Sequence, residues 1–558
     1  MKKAISILFI ILCFLSTLPL INHEVPVRAN PTQHTWTVDD NGPANFTKIQ
    51  DAINNASSGD TVFVHTGIYH ENVVINKTIT LVGEDSNSTI IDGNETGDVI
   101  HIIANDVTVK GFTVTKSGMY IYCGILVDHS IGNAIINNNI LYNYKGVSLV
   151  DSSNNVVYDN TILSNYDGVY LYYSSNNAIS GNMISLSNYN GVYLYYSSNN
   201  AISGNVILHN HLTGISLYYS SNTVVCDNSV LNNYHGIYLA FSSDDNTIYH
   251  NNFNNTYQVW TESRNFWNYD DEGNYWSNYA GQDLNEDGIG DTTYYINAAN
   301  EDNNPLMGIF SEFSIALEGE TYSINVISNS TTSFFSFQIG AETGNKMICF
   351  NTTGENGTVG FSRVKIPTKL MNYPYIVVVG SEEITPKLLN VSNEAYAYLY
   401  FTYLHKNRAR SITIISSKTL ALYFELLDEY LKLQKDLYDL NETYYTLLAN
   451  YSILLGNYTQ LQISFGELNN SYLEHLVNYF ALLGNYNILL YNYTQLQISF
   501  HDLNDSYLKH LLDYSEQMQN IRNLTYIFVA LAAILIVTTV YLSKRAHTNL
   551  TTRTIEGK

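Results

Sequence analysis

The sequence is poor in cysteine and proline. It holds four cysteines, of which Cys13 lies in an N-terminal apolar run, so that Cys123, Cys226 and Cys349 remain. Three cysteines at irregular spacing, with no CxxC pair, indicate neither a disulfide framework nor a zinc site, and buried free thiols are the simpler interpretation. Only eight prolines occur, and none follows Pro386. The rest of the chain is therefore free of this helix-breaking residue.

Charged residues are also scarce. They make up 14% of the 558 residues, and the formal net charge is −24. No arginine occurs between Arg28 and Arg264. This acidic balance argues against nucleic acid as a partner, because its phosphates would be repelled. It suits a solvated surface and the binding of cations. The length predicts several domains.

The two ends of the chain carry apolar runs. Lys2 and Lys3 precede the run 4–20, which predicts a secretory signal peptide over residues 1–29, with a first membrane anchor as the alternative. The second run, within residues 525–542, predicts a single transmembrane helix. Lys544 and Arg545 follow it, so residues 543–558 are expected to form a cytoplasmic tail. We therefore expect a single-pass protein of the cell membrane whose bulk is extracellular.

The predicted extracellular part contains many N-glycosylation sequons. Such sequons also arise by chance in an asparagine-rich chain, so they only support the predicted topology. The candidate acceptors are Asn45, Asn76, Asn94, Asn254, Asn351, Asn457 and Asn492.

An internal repeat fills the first half of the chain. Its glycines are spaced by 22, 22, 23, 23 and 22 residues, at Gly124, Gly146, Gly168, Gly191, Gly214 and Gly236. Apolar residues alternate after each glycine, as in short β-strands. A unit of this length cannot bury its own apolar face, but stacked units form one continuous core. Leucine-rich repeats have a similar period, yet their leucine-dense signature is missing. The repeat predicts a parallel β-helix.

Asparagine recurs in two columns of this repeat. The first column is Asn138, Asn160, Asn182, Asn205 and Asn228, and the second is Asn154, Asn176, Asn199 and Asn222. Asparagine tolerates left-handed turns, and its amides can bond from one coil to the next. We expect the columns to serve these two purposes.

Three stretches resemble known β-helix proteins. The segment TKIQDAINNASSGDTVFVHTGIYHENVVINKTITLVG is similar to the cap and first coils of pectin-lyase-like right-handed β-helices, in which a short helix, here near residues 49–56, closes the stack. Repeats of the type GVYLYYSSNNAISGN resemble the NosD-type (periplasmic copper-binding) β-helix family. The segment NYWSNYAGQDLNEDGIGDTTYYI is similar to the closing motif of archaeal surface proteins of that family. The resemblance covers residues 35–308.

Enzymes of the pectin-lyase-like fold suggest an alternative function. Lyases of this fold use a basic residue, usually arginine, but the repeat has no arginine and few lysines, namely Lys110, Lys116 and Lys145. The hydrolases use a paired-Asp and a Gly-His-Gly motif and the esterases use Gln and Asp motifs, and we find none of these motifs here. General acid–base catalysis needs converging carboxylates. Asp128, Asp151, Asp159 and Asp167 are present but fall in different columns. A polysaccharide lyase or hydrolase is therefore the second hypothesis.

Copper handling is implied only by the family resemblance. A copper site needs several histidines that converge. The candidates are His209, His211, His235 and His250. They occupy different positions relative to the repeat glycines, and His211 falls in a column that otherwise reads Asn143, Asn165, Asn188 and Asn233. We interpret them as turn residues and disfavour a copper cofactor.

An acidic loop suggests calcium instead. Asp283, Asn285, Asp287, Ile289 and Asp291 match oxygen-ligand positions 1, 3, 5, 7 and 9 of an EF-hand-like loop, with glycine at position 6. The acidic residue at position 12 is missing, because Tyr294 stands there. A structural calcium site and a plain acidic turn are both compatible with this pattern.

Tyrosines recur in rows within the repeat. Exposed aromatic rings suit stacking on sugar rings, although stacked rings also stabilise a β-helix. The candidate sugar-stacking residues are Tyr144, Tyr166, Tyr173, Tyr189, Tyr196, Tyr219 and Tyr234.

The pattern changes after the repeat. Residues 310–416 contain about seven short alternating strands separated by turn signals, which predicts an Ig-like β-sandwich. Residues 420–521 keep a heptad in which Tyr, Phe or Leu recurs every seventh residue from Tyr423 to Tyr514. This predicts an α-helical coiled-coil stalk that associates with a second copy, with a bent helical hairpin in one chain as the alternative.

The fold class we predict is mainly β: a right-handed parallel β-helix, a β-sandwich, a long coiled coil and a transmembrane helix. The leading hypothesis is a membrane-anchored surface protein without catalysis. Its β-helix would bind environmental or envelope polysaccharide, or act as an adhesive or architectural element.

Overall fold

The computed structural model describes residues 33–464 and 471–519. The predicted signal peptide (1–29), transmembrane helix (525–542) and tail (543–558) lie outside these residues. Within the two described ranges, no helix is long and apolar enough to cross a membrane. Residues 33–337, 348–372 and 385–412 form one compact unit, and a second unit contains the long C-terminal helices.

Three parallel sheets form a β-helix of the right-handed type. Sheet I holds β1 (Thr35–Val38), β2 (Thr61–Val64), β5 (Thr80–Gly83), β8 (Thr108–Lys110), β11 (Ala134–Ile136), β14 (Val156–Tyr158), β17 (Ala178–Ser180), β20 (Ala201–Ser203), β23 (Val224–Cys226) and β26 (Thr247–Tyr249). Sheet II holds β4 (Val73–Ile75), β7 (Ile100–Ile102), β10 (Cys123–Asp128), β13 (Lys145–Val150), β16 (Asp167–Tyr172), β19 (Asn190–Tyr195), β22 (Thr213–Tyr218), β25 (His235–Ala240) and β28 (Tyr257–Thr261). Sheet III holds β3 (Gly67–His70), β6 (Thr89–Asp92), β9 (Thr113–Thr115), β12 (Asn139–Leu141), β15 (Thr161–Leu163), β18 (Met183–Ser185), β21 (Val206–Leu208), β24 (Ser229–Leu231), β27 (Asn252–Asn254) and β29 (Tyr275–Trp276).

The register confirms the predicted repeat. Val147 pairs with Val169, and Leu149 pairs with Leu171, one coil further on. These inward side chains are fully buried in a single core that runs through the stack. A Cβ on Gly168 would lie 2.5 Å from the carbonyl oxygen of Gly191. The glycine column therefore follows from the close approach of neighbouring coils.

The asparagine columns serve the two expected purposes. Asn138 and Asn160 are buried, and the backbone N–H of Asn138 donates to Asn160 Oδ1 at 2.9 Å. Asn154 and Asn176, in the second column, have left-handed φ angles of 55° and 61°. The first column is therefore a buried amide ladder, and the second supplies turns.

The predicted position of His211 in an asparagine column is wrong. Ser187 and Asn210 occupy that column, because the backbone N–H of Ser187 donates to Asn210 Oδ1 at 3.0 Å and that of Asn210 to Asn233 Oδ1 at 2.9 Å. The turns 186–189 and 209–212 are one residue longer than the turn 164–166. This extra residue shifts His211 and Asn188 out of the column.

Both ends of the β-helix are closed. At the N-terminal end, helix α1 (Ile49–Asn55) buries Ile49 and Ile53 in the core of the coils, as the family resemblance implied. At the other end, β30 (Tyr294–Asn297) and β31 (Asn300–Asp302) form an antiparallel pair. There, Asp302 Oδ2 accepts the indole N–H of Trp276 at 2.9 Å.

Ten strands follow the β-helix. Sheet IV is antiparallel and contains β32 (Ile309–Leu317), β33 (Glu320–Ser328), β36 (Val359–Pro367), β40 (Tyr396–Leu404) and β39 (Lys387–Leu388) in that order. The other strands are β34 (Thr331–Ile339), β35 (Lys346–Thr353), β37 (Tyr375–Val379), β38 (Glu382–Ile384) and β41 (Arg410–Ser416). The predicted β-structure in this region is present, and its assignment as an Ig-like sandwich stays a prediction.

Two long helices complete the described chain. They are α2 (Lys418–Ser464) and α3 (Ser471–Gln519). The rings of Tyr444 and Tyr493 stack at 5.8 Å, and those of Tyr451 and Tyr486 stack at 5.7 Å. The partners move in opposite directions along the sequence, so these contacts are those of an antiparallel hairpin. The coiled-coil stalk stays a prediction, and the hairpin is the arrangement observed.

Candidate functional site

The outer face of sheet II is the most distinctive surface of the β-helix. In β16, Val169 and Leu171 point into the core, so Tyr170 and Tyr172 point outwards. Asp167 pairs with Lys145, whose ammonium group contacts the ring of Tyr170 on this outer face. The parallel register stacks such outward residues in three columns. They are Lys145, Asp167, Asn190, Thr213, His235 and Tyr257; then Ser148, Tyr170, Tyr193, Ser216, Tyr238 and Trp260; and Val150, Tyr172, Tyr195, Tyr218 and Ala240. We call these columns and the tyrosines of the adjoining turns the aromatic face.

The predicted sugar-stacking tyrosines flank the columns in two ladders. Before the strands, the rings of Tyr144 and Tyr166 lie 4.7 Å apart, and those of Tyr166 and Tyr189 lie 5.4 Å apart, each pair within 7° of parallel. After the strands, Tyr196 stacks on Tyr173 at 5.0 Å and on Tyr219 at 4.5 Å. Six of the seven predicted residues are thus brought together in two stacks.

Tyr234 is the exception. Its ring meets that of Tyr257 edge-on, at 5.2 Å and 75°. Leu212 stands at the corresponding position of the preceding coil, so the ladder of Tyr144, Tyr166 and Tyr189 does not continue to Tyr234.

The ladders cover the faces of their own rings. Tyr166 and Tyr196 each have a nearly parallel ring on both sides. Tyr189 and Tyr196 nevertheless remain 42% and 38% exposed. Tyr196 has a stacked ring on both sides, so it offers a ligand its ring edge and hydroxyl group. Tyr189 and Tyr173, at the ends of the ladders, each have a stacked ring on one side.

Sequence reasoning missed the rings in the centre of the face. Tyr170 and Tyr193 lie 5.2 Å apart with a tilt of 49°, and Tyr238 stacks on Trp260 at 4.1 Å. Tyr170, Tyr193 and Tyr238 each lie two residues after a repeat glycine. The two-residue period of a strand, applied to GVYLYY, would have placed them on the outer face.

Polar groups lie among these rings. Asp167 is buried, and it accepts hydrogen bonds from the backbone N–H and the side-chain amide of Asn190 at 3.1 and 3.0 Å. Burial raises the pKa of Asp167, although the bonds from Asn190 oppose this shift. The ammonium group of Lys145 lies 3.9 Å from the ring centroid of Tyr170. Asp167 is the only carboxylate among the outward residues of strands β13 to β28 that form the three columns.

Two phenol groups of the face, those of Tyr170 and Tyr218, stay protonated at physiological pH. Burial raises the pKa of Tyr170 and of Tyr218 to about 12. Their hydroxyl groups can therefore both donate and accept hydrogen bonds.

The acidic loop after the β-helix is held by its own backbone. The carboxylate of Asp283 accepts the N–H groups of Asp287 at 3.0 Å and Gly288 at 2.8 Å. Asp287 accepts the N–H of Ile289 at 2.8 Å and the side-chain amide of Asn285 at 3.2 Å. These bonds occupy several of the oxygens that the sequence assigns to calcium.

The charges of this loop still repel one another. Burial and the neighbouring carboxylates of Asp287 and Asp291 raise the pKa of Asp283, against two bonds from backbone N–H groups. Over residues 33–464 and 471–519, no three acidic, histidine or cysteine side chains are arranged to hold a metal ion. The calcium site stays a prediction.

The candidate glycosylation sites are accessible. Asn45, Asn76, Asn94, Asn254, Asn457 and Asn492 are exposed, and Asn351 is half-buried. Their modification stays a prediction.

The sequence of the coils matches a known family. The family model described as periplasmic copper-binding protein (NosD) matches residues 53–281. This segment is a β-helix that fits a NosD-type parallel β-helix family. The three sheets and the aromatic face described above belong to this NosD-type β-helix.

Two curated relatives match shorter parts of the chain. A 100-residue segment is 36% identical to a cell surface glycoprotein of Methanothermus fervidus and covers 17% of this chain and 16% of that protein. A 65-residue segment is 48% identical to a probable ABC transporter binding protein NosD of Stutzerimonas stutzeri and covers 11% and 15%. The chain thus spans about a sixth of the length of these relatives.

The solved structures that match are more distant. The periplasmic alginate epimerase AlgG is 17% identical with a TM-score of 0.29, over 38% of this chain and 59% of that one. Pectate lyase Pel9A is 15% identical with a TM-score of 0.32, over 42% and 74%. Likeness at this level assigns no role to any residue of the NosD-type β-helix.

The histidines considered for copper lie in different surroundings. His209 and His211 are exposed in a turn, and His235 lies on the aromatic face. The side chain of His250 is 12% exposed, with Nδ1 3.3 Å from Asp227 and Nε2 2.8 Å from Glu272. These two carboxylates occupy both ring nitrogens, so His250 has no free nitrogen for a metal.

Proposed function

We propose that this chain is an extracellular, membrane-anchored protein whose NosD-type β-helix binds a polysaccharide along the aromatic face without catalysis. The names of the relatives, a cell surface glycoprotein and a probable ABC transporter binding protein, support an extracytoplasmic location. The predicted signal peptide and the predicted helix at 525–542 support the anchoring.

The exposure of the aromatic face carries the proposal. Rings that only packed the coils together would be expected to be buried, but Tyr173 is 49% exposed and Trp260 is 37% exposed. Contiguous exposed apolar surface on a folded protein marks interaction sites. Tyrosine and tryptophan combine an apolar ring with a polar group, which suits a sugar that has C–H faces and hydroxyl groups.

Charge favours an uncharged ligand. The chain has a net charge of −24, which repels polyanions. Lys145 is the only cation in the three columns, and its ammonium group lies over Tyr170. We therefore expect a neutral polysaccharide rather than a uronate or sulfate polymer.

A lyase or hydrolase has less support. Such chemistry needs two groups that act as acid and base around one bond. Among the column residues of β13 to β28, Asp167 is the only carboxylate, and it accepts two hydrogen bonds from Asn190. Asp128, which continues the third column in β10, lies 3.3 Å from His101 and 2.6 Å from His129.

Binding of the full chain in detergent to a panel of neutral polysaccharides, by affinity electrophoresis, tests the proposal. The double variant Tyr170→Ala/Tyr193→Ala should bind at least about tenfold more weakly, because each ring contact contributes about 0.5–1.5 kcal/mol. Tyr158→Ala is the matched control, since Tyr158 is an exposed tyrosine of sheet I. Failure of the wild-type chain to bind any glycan would leave an architectural role instead.

A further inference from the structure

One coil of the β-helix carries an insertion next to the aromatic face. Seven residues, 116–122, connect β9 to β10. The corresponding turns of the following five coils have three or four residues, for example 142–144 and 186–189. The extra residues form a loop at the start of the ladder that contains Tyr144.

The base of this loop is fixed by the coils around it. The backbone N–H of Ser117 donates to Asn143 Oδ1 at 3.0 Å, and the N–H of Tyr144 donates to Ser117 Oγ at 3.0 Å. The N–H of Gly118 donates to the carbonyl oxygen of Gly97 at 2.8 Å. These hydrogen bonds hold the base of the loop in a defined conformation.

The tip of the loop is apolar and exposed. Met119, Tyr120 and Ile121 are 72%, 75% and 71% exposed. Exposing three adjacent apolar side chains to water is unfavourable in free energy. Contact with an apolar surface would bury them and remove this cost.

The ring of Tyr120 differs from the ladder tyrosines. Its centroid is 6.2 Å from that of Tyr144, at an angle of 46°, so the two rings do not cover each other. Tyr166, by contrast, has nearly parallel rings on both sides. Tyr120 thus keeps a free aromatic face beside the aromatic face of sheet II.

We infer that Tyr120 is the sugar-stacking residue of this protein. The apolar face of a sugar ring in a neutral glycan lies against the Tyr120 ring, and Met119 and Ile121 form an apolar rim around it. The ladder tyrosines hold the adjoining part of the glycan by hydroxyl hydrogen bonds and ring edges. Because the base of the loop is already ordered, little conformational entropy is lost on binding. This inference rests on the proposed function and names its main subsite.

The test compares Tyr120→Ala with a matched control. Tyr158→Ala is suitable, because Tyr158 is 42% exposed and lies on sheet I rather than on the aromatic face. Affinity electrophoresis of the full chain would use hydroxyethylcellulose, galactomannan and dextran as probes. We expect Tyr120→Ala to weaken binding to the retained probe about tenfold, Tyr120→Trp to keep it, and Tyr158→Ala to leave it unchanged.

The outcomes separate this inference from the proposed function. Wild-type binding that Tyr120→Ala leaves intact would overturn the role of Tyr120 but keep the glycan-binding face. Absence of wild-type binding to all probes would overturn both. Unchanged glycan binding in Tyr120→Ala together with lost binding to phosphatidylcholine vesicles, or with a lower oligomeric state, would show that the loop contacts a membrane or a second copy and would overturn the inference.

Discussion

Asn182 Oδ1 accepts two hydrogen bonds from Asn160, one from the backbone N–H at 2.9 Å and one from the side-chain amide at 3.0 Å. Asn182 in turn donates its own amide to the carbonyl oxygens of Val157 at 2.8 Å and Ser180 at 3.0 Å. A single side chain thus satisfies buried polar groups of its own coil and of the preceding coil.

The variant Asn182→Leu should destabilise the β-helix strongly. Leucine has nearly the same volume but leaves the buried backbone N–H of Asn160 without its acceptor, and the carbonyl oxygens of Val157 and Ser180 lose the donor from Asn182, at about 1–3 kcal/mol for each unsatisfied group. We expect a loss of about 2–5 kcal/mol in the free energy of unfolding, measured by denaturant titration. Asn188→Leu is the control, since Asn188 is exposed in the same coil. Equal stability of the two variants would contradict a structural role of the ladder.

His250 should make stability depend on pH. Burial disfavours its imidazolium form, but hydrogen bonds to Asp227 and Glu272 outweigh this and raise the pKa of His250 to about 9, from a usual 6.5. A raised pKa in the folded state means that the contribution is fully present below pH 6.5 and is lost as the pH rises through about 9. Thermal unfolding between pH 6 and pH 10 should show a falling Tm.

The variant His250→Gln isolates this contribution. It leaves two carboxylates without their cation, although Arg363 still bonds to Glu272 at 2.6 Å. Breaking a buried pair costs about 3–5 kcal/mol, so we expect a lower Tm at pH 6 and a smaller difference from wild type at pH 10. His209→Gln, at an exposed histidine, should behave as wild type. A Tm difference that does not change with pH would refute the assignment.

Calcium should stabilise the acidic loop if the sequence pattern is a metal site. The carboxylates of Asp287 and Asp291 help to raise the pKa of Asp283, and a cation would relieve this repulsion. We expect millimolar calcium to raise the Tm of the full chain by a few degrees, and Asp283→Asn to abolish the rise. Asp271→Asn changes a nearby exposed acid and is the control. The same Tm with calcium and with chelator would identify the segment as a plain acidic turn.

Crosslinking between the two helices α2 and α3 can distinguish the hairpin from the stalk. In the hairpin, Tyr451 faces Tyr486 of the same chain. The double variant Tyr451→Cys/Tyr486→Cys should therefore give an intramolecular product with a short bismaleimide, seen as a fast-migrating monomer in gel electrophoresis. Tyr451→Cys/Tyr493→Cys is the mismatched control, because Tyr493 faces Tyr444. Dimers from Tyr451→Cys alone would favour the parallel self-associated stalk.

The sequence predicted the β-helix because its information is local and periodic. The glycine column at Gly146 and Gly168 recurs at the spacing of one coil, and the buried asparagines keep the same phase. Each position has the same surroundings in every coil, so one pattern describes all of them. The error at His211 arose where two turns gained a residue, which a count from the glycines cannot locate.

The candidate site was only half predicted. Counting from the glycines found Tyr166 and Tyr196 but gave no reason to separate them from Tyr120, whose special position depends on ring orientation. The contact between Glu272 and Arg363 joins residues 91 apart in the sequence. Neither residue belongs to a repeat, so no periodicity could have paired them.

The ladder of parallel strands affects how such a protein folds during synthesis and how its length can evolve. Each coil completes its bonds with the coil before it, as Asn160 does with Asn138. A growing chain can therefore add finished layers in the order in which they are synthesised, without waiting for a distant segment. For the same reason, duplication or loss of one 22- or 23-residue layer would lengthen or shorten the aromatic face while the caps stay unchanged.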